Sequence, residues 1–276
     1  MTRVQRQEIE IAFEAVGEGP AVVLLHSFLC SGAMWRNQVA PLAAHNQVIN
    51  IDCRGHGASS GVSKPFNLYD MVEDVLAVLD VLRIDRAVWA GLSIGGMIAL
   101  RAALRAPDRL SALILADTDA GSERFWSRLK YGALGRLVRV CGIRPVLPQI
   151  TRQMFGRTTR RREPDLVAEW VDRFAHVDVP SALRTLQALN ERDDLFPRLA
   201  EIDVPALVLV GAEDQSLPPD RSRRLARALP RARLVEIAGA GHLSSLEQPA
   251  AVTIAMLDFL EGAEVVALSR GGQTRR

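Results

Sequence analysis

Gly91-Leu92-Ser93-Ile94-Gly95-Gly96 is the stretch that decides how this chain folds. An apolar run at residues 87–90 precedes it, and a helical stretch over residues 94–104, closed by Pro107, follows. This is G-x-S-x-G between a strand and a helix, the setting in which the pattern carries meaning. A serine on so sharp a turn has strained backbone angles, and side chains beside it would clash. Gly91 and Gly95 remove those side chains. The turn lifts the Ser93 hydroxyl above the end of a sheet, and the helix N-terminus beneath it favours developing negative charge.

The same rhythm extends outward from the hexapeptide. Residues 7–16 are expected to form two short strands, followed by a turn at Gly17-Glu18-Gly19-Pro20. Ala21–Leu25 is a continuous apolar run, the mark of a strand buried on both faces, and Gln47–Ile51 and Leu110–Ala116 are similar, mostly apolar stretches. Val72, Val75, Leu76, Leu79 and Leu82 recur at helical spacing, with Asn67 placed to cap the helix. Strands alternating with helices mean a mostly parallel sheet covered on both faces. The alternation stops after Asp119. Residues 121–199 show helical stretches and no strand, an insertion long enough to suggest a lid. It then resumes with a strand at 206–210, a helix at 220–229, a strand at 234–238 and a helix at 246–260. The expected division is therefore a core at 1–120 and 200–262, a helical cap at 121–199 and a flexible tail at 263–276.

Composition narrows the function classes. Hydrophobic residues make up 48% and charged residues 24% of 276, enough to bury a core and too apolar for a disordered chain. The net charge of +2 is too small to point to nucleic acid. Cys30, Cys53 and Cys141 are scattered and lack CxxC spacing, which argues against a disulfide framework or a zinc site. No metal or other cofactor is expected. With no apolar run of membrane-spanning length and no secretory h-region, the expected location is the cytoplasm.

A serine hydroxyl needs a base. Of the five histidines, His242 in Gly239-Ala240-Gly241-His242 lies just past the last strand, where parallel sheets place their sites. His26 and His56 read as loop-holding groups, His45 as exposed, and His176 as part of the insertion. The base needs a carboxylate to fix its tautomer. Asp214 in Gly211-Ala212-Glu213-Asp214 is the candidate, with Asp117, Asp119 and Glu213 as rivals. An aspartate after a strand is often only a turn former or helix cap, but the order Ser93, Asp214, His242 is the one expected with a G-x-S-x-G nucleophile and raises Asp214 above that reading.

With these motifs in order the chain resembles the α/β-hydrolase fold serine hydrolases, from about residue 7 to 260. The resemblance includes His26-Ser27-Phe28, where Ser27 replaces the usual glycine, and Asp52-Cys53-Arg54-Gly55-His56-Gly57-Ala58-Ser59. It continues through Gly211 to Asp214 with Pro218, and through Gly241-His242 with Glu247 and Pro249. The stretch from His26 to Trp35 is also similar to 3-oxoadipate enol-lactone hydrolases. The resemblance implies a mostly parallel sheet of the eight-stranded type with a helical cap insertion. It implies Ser93 as nucleophile, His242 as base and Asp214 as orienting acid, with an oxyanion hole from the Phe28 and Ile94 amides. Ser27, Leu29, Phe125, Trp126 and Leu217 are the expected substrate contacts, and the Phe28 side chain is expected to face the pocket.

A serine nucleophile sets the chain apart from relatives that use aspartate and points to attack on a carbonyl. The substrate expected is a small carboxylic ester or lactone, hydrolysed through an acyl-enzyme. Two alternatives stand beside it: C–C bond hydrolysis of ring-cleavage diketo acids, and a ligand-binding member of the fold without catalysis. The insertion is basic, carrying Arg124, Arg128, Lys130, Arg136, Arg139, Arg144, Arg152, Arg157 and Arg160-Arg161-Arg162. Phe125, Leu129, Ala133 and Leu137 fall at i, i+4 spacing among them. An arginine here could pair with a substrate carboxylate, could face an anionic membrane surface, or could line a solvated face. Stable membrane association is not expected.

Overall fold

The computed structural model describes residues 1–123, 125–262, 265 and 268. Its centre is one eight-stranded sheet in the order β1-β2-β4-β3-β5-β6-β7-β8. β3 (Ala21–Leu25), β5 (Ala87–Leu92), β6 (Leu110–Ala116) and β7 (Ala206–Gly211) are buried along their whole length. They run parallel to one another and to β4 (Gln47–Ile51) and β8 (Ala232–Ile237). β1 (Thr2–Arg6) and β2 (Ile9–Val16) form an antiparallel hairpin that joins the sheet at β4.

Alternate residues of each buried strand feed two separate cores. Val23, Leu25, Trp89, Leu113, Leu115 and Val208 pack against α2 (Leu68–Val81), α3 (Ile94–Arg105) and α9 (Pro219–Ala228). Val22, Leu24, Val88, Ala90, Ile114 and Leu209 pack against α1 (Arg36–Ala43) and α11 (Pro249–Leu260). This two-sided burial explains the unbroken apolar runs. As expected, Asn67 caps α2: its side chain accepts from the Tyr69 and Asp70 amides, and Asp70 returns the bond in a capping box.

Between β6 and β7 the described residues form α4 (Phe125–Cys141), α5 (Leu147–Met154), α6 (Arg157–Arg162), α7 (Pro164–Ala175) and α8 (Val179–Asn190), with no strand. Three boundaries differ from the sequence reading. The first strand begins at Thr2, ahead of the expected pair at 7–16, and the turn falls at Gln7 and Glu8. β1 is an exposed edge in which only Val4 is buried, so it carries almost no apolar signal. The last strand begins at Ala232 because β8 is a half-exposed edge that includes Arg233. The last helical stretch is two helices, α10 (Ser244–Glu247) and α11, because Pro249 has no N–H to continue the first. The expected tail lies outside the described residues except for 265 and 268, and Val265 packs in the core.

Asp74 on α2 ties three parts of this frame together. It receives Arg54 Nε at 2.6 Å and Nη2 at 2.7 Å, and Arg6 Nη1 at 2.9 Å. Arg54 also lies over the Phe66 ring, 5.1 Å from its centroid. Removing the carboxylate strands a buried guanidinium. Asp74→Ala is expected to lower unfolding free energy by about 3–5 kcal/mol in urea denaturation. A loss under about 1 kcal/mol would mean that Arg54 finds another partner or water.

Candidate active site

Ser93 stands between β5 and α3 with φ 55° and ψ −114°. The strain expected of the turn is therefore present, and two glycines permit it. A Cβ on Gly91 would lie 2.1 Å from the Gly95 carbonyl carbon, and one on Gly95 would lie 2.3 Å from Leu25 O. The turn is tied to β6: Ser93 N–H donates to Ala116 O at 2.9 Å, and Thr118 Oγ1 donates to Ser93 O at 2.6 Å.

Asp214 lies in the turn after β7. Its Oδ1 accepts from the Ser216 amide at 2.8 Å and the Leu217 amide at 2.9 Å. Its Oδ2 faces His242 Nδ1 at 2.8 Å, and both side chains are buried. A carboxylate only accepts, so Nδ1 carries the proton and Nε2 is left as the basic atom. Burial pulls the imidazole pKa down. The charge and hydrogen bond of Asp214, helped by Asp117 and Glu247, outweigh burial and hold it above the ordinary range.

None of the rival carboxylates makes a hydrogen bond or ion pair with His242. Asp117 accepts from Gly211 N at 2.7 Å and from Ser244 Oγ. Burial, and then the charge of Asp214, push the Asp117 carboxyl well above the usual carboxylate range. Asp119 pairs with Arg221 at 2.7 Å, and Glu213 accepts from the Thr158 amide and hydroxyl. The other histidines have other partners. His26 Nδ1 donates to Ser27 O and its Nε2 accepts from Cys53 N. His56 Nδ1 donates to Arg54 O, and burial pushes its pKa down to about 3. His45 and His176 are exposed.

Ser93 and His242 share the wall of a cavity of about 400 Å³. Among the described residues no hydrogen bond joins the Ser93 hydroxyl to His242. Such bonds are often loose in a free site and tighten around substrate. The Phe28 and Ile94 amides donate to no described residue, and the Phe28 side chain lines the cavity. Leu29 and Leu217 line it too, with Leu29 at φ 63°. Ser27 does not. It is fully buried, its amide faces Met34 Sδ at 3.1 Å, and its backbone is outside the left-handed region, so a side chain replaces glycine there without φ strain. Trp126 is 78% exposed and is not on the cavity wall, and the Phe125 side chain lies outside the described residues.

α4, α5 and α8 close the cavity with Leu134, Val138, Ile150, Leu183 and Leu186. The described arginines of the basic run are off the wall, and Arg128, Arg136, Arg139, Arg144, Arg152, Arg157, Arg161 and Arg162 are exposed; Arg124 and the Lys130 side chain lie outside the described residues. No described arginine of the run therefore supplies a partner for a substrate carboxylate within this cavity. Two arginines that the sequence reading missed do line it. Arg192 pairs with Glu123 at 2.9 Å, and Arg221 pairs with Asp119. Neither stands in a local pattern that separates it from a surface arginine. No group of three or more potential metal ligands occurs among the described residues.

The sheet architecture is matched by comparison with known proteins. The chain belongs to the α/β hydrolase family, whose sequence model, described as "alpha/beta hydrolase fold", matches residues 20–249. It is 30% identical to 3-oxoadipate enol-lactonase 2 of Acinetobacter baylyi, over 89% of this chain and 91% of that protein. It is 29% identical to the pimeloyl-[acyl-carrier protein] methyl ester esterase of Xanthomonas oryzae pv. oryzae, over 90% and 97% of the two chains. A solved thermophilic esterase from Thermogutta terrifontis superposes with a TM-score of 0.89 at 30% identity, covering 94% of this chain and 98% of that one. The chain is thus related to esterases and lactonases, and the sequence resemblance to enol-lactone hydrolases is borne out. No helix among the described residues is long and apolar enough to cross a membrane.

Asparagine substitutions separate the two buried aspartates. Asp214→Asn removes the charge that holds His242 and is expected to lower kcat by about 10³–10⁴-fold. Asp117 bonds to Gly211 N and Ser244 Oγ rather than to His242, so Asp117→Asn is expected to stay within about threefold. The opposite ranking in steady-state assays would move the orienting role to Asp117.

Proposed function

We propose that this chain is a serine hydrolase of small carboxylic esters or lactones. Ser93 Oγ attacks the carbonyl carbon while His242 Nε2 takes the hydroxyl proton. The Phe28 and Ile94 amides hold the oxyanion, each worth about 3–4 kcal/mol in such sites. Asp214 stabilises the imidazolium and keeps Nδ1 protonated. Collapse of the tetrahedral intermediate expels the alkoxide, which takes its proton from His242. Water, activated by the same imidazole, then releases the acid and restores Ser93. Residues 121–199 act as the cap that closes this chemistry from solvent.

The observation that carries the reading is the buried His242–Asp214 pair opening on the same cavity as a serine at the start of α3. The cavity walls also speak to the substrate. They are largely aliphatic, and their two arginines are each balanced by a carboxylate. Among the described residues a buried anion would find no unbalanced cation there, so neutral acyl groups fit better than carboxylate-bearing ones. The relatives that act on esters and lactones support the reaction class.

Turnover, labelling and selectivity assays and one pH profile test this. A panel of short 4-nitrophenyl esters and aliphatic lactones is expected to turn over. Ser93→Ala should lose at least about 10³-fold in kcat, and a fluorophosphonate should label only the protein with Ser93. Neutral esters should exceed the matched succinate half-esters by at least about tenfold in kcat/KM. His242 must be neutral to act, so the acid limb of kcat/KM is expected above about pH 6.5, the ordinary imidazole value. Ester turnover that survives Ser93→Ala would overturn the mechanism.

A further inference from the structure

Two glutamates flank the Asp214–His242 pair, and both reach the same short piece of the helical segment. Glu213, next to Asp214, accepts from Thr158 N at 2.8 Å and Thr158 Oγ1 at 2.6 Å. Glu247, on α10 just after His242, accepts from Gly156 N at 2.8 Å and Thr159 Oγ1 at 2.5 Å through Oε2. Its Oε1 accepts from Leu243 N at 3.1 Å. Thus adjacent threonines serve the acid loop and the base loop, one each.

Backbone contacts reinforce the join. Leu243 N donates to Met154 O at 3.2 Å, and Glu213 N donates to Ala240 O at 2.7 Å. A Cβ on Gly241 would lie 2.1 Å from Gly156 N, so the chain beside His242 and the chain entering α6 touch directly. Glu247 and Thr159 are buried, which shields these bonds from exchange with water.

We infer that residues 154–159 are a brace, and that Thr158 and Thr159 are positioning residues that hold the Asp214 and His242 loops in register. On this account this part of the cap stays docked through turnover, and substrate enters elsewhere around the cavity. The inference rests on Ser93, His242 and Asp214 being the reacting groups. Small displacements of such groups cost turnover steeply, about 10²-fold for 1 Å. A staple that served only the fold would change stability and leave the imidazole alone.

The test is the double variant Thr158→Val/Thr159→Val, which keeps side-chain shape and removes both hydroxyls. Expected are a kcat at least about tenfold lower and a KM within about threefold. The acid limb should move to lower pH. That shift follows because a looser contact with Asp214 leaves burial less opposed, with Asp117 and Glu247 the other carboxylates acting on the ring. Thr158→Ser/Thr159→Ser should restore kcat to within about threefold. The His242 Nδ1–H proton resonance, followed by NMR in the Ser93→Ala background, reads the brace without turnover. It should weaken or shift in the valine variant. Hydrolysis surviving Ser93→Ala would then remove the functional reading while this resonance still judged the brace. An unchanged kcat, acid limb and resonance overturn the inference, and so does a rise in KM alone. If the double variant does not fold, the two single valine variants are read by the same outcomes.

Discussion

The hydrogen bond from His242 Nδ1 to Asp214 Oδ2, 2.8 Å long and buried, links two loops that have no reason to meet except the sheet between them. β7 and β8 run parallel with Gly211 level with Ile237, so the segments that follow leave the sheet side by side. The approach is closer than side chains allow. A Cβ on Gly211 would lie 2.0 Å from Gly241 O. Glycine at that strand end therefore sets the distance at which an aspartate three residues on can reach a histidine one residue past Gly241. The desolvated pair is sustained because Asp214 also takes two backbone amides, which offset the water it has lost.

The serine reaches the same edge by the same logic. β5, β6 and β7 are neighbours in parallel, so the turns after them open on one side of the sheet. The Ser93 turn is tied to the end of β6 by its own amide and by Thr118, and Asp117 ties that end to Gly211. A line of buried polar contacts thus runs from the elbow to the acid loop. It fixes geometry through backbone groups bridged by the Thr118 and Asp117 side chains.

What was legible in the residues followed from burial and steric necessity. Strands covered on both faces must be apolar throughout, so β3 to β7 stood out, while β1 with only Val4 buried did not. The elbow was visible because only glycine fits at 91 and 95. Asp214 and Asp117 both follow buried strands, are themselves buried and lie between Ser93 and His242 in the chain, so the hydrogen bond to His242 is what separates them. Substrate contacts were harder. Trp126 and Ser27 were plausible by position, yet one faces out and the other packs inward, and neither orientation is written in local spacing. The arginines of the insertion drew attention by density, but density marks the solvated face. Arg192 and Arg221 line the cavity singly, each beside a carboxylate distant in sequence.

The glutamates beside the proposed acid and base connect the helical segment between β6 and β7 to the candidate site. Glu213 stands in sequence as a rival for the acid and Glu247 as part of the family resemblance, and the structure shows their carboxylates receiving the start of α6. The account as a whole stands on a covalent bond forming at one atom. Mixing the protein briefly with a slowly hydrolysed 4-nitrophenyl ester, quenching in acid and mapping peptides by mass should find one acyl group per chain, on the peptide bearing Ser93. Full turnover with no adduct at any time, or an adduct on another residue, would contradict it.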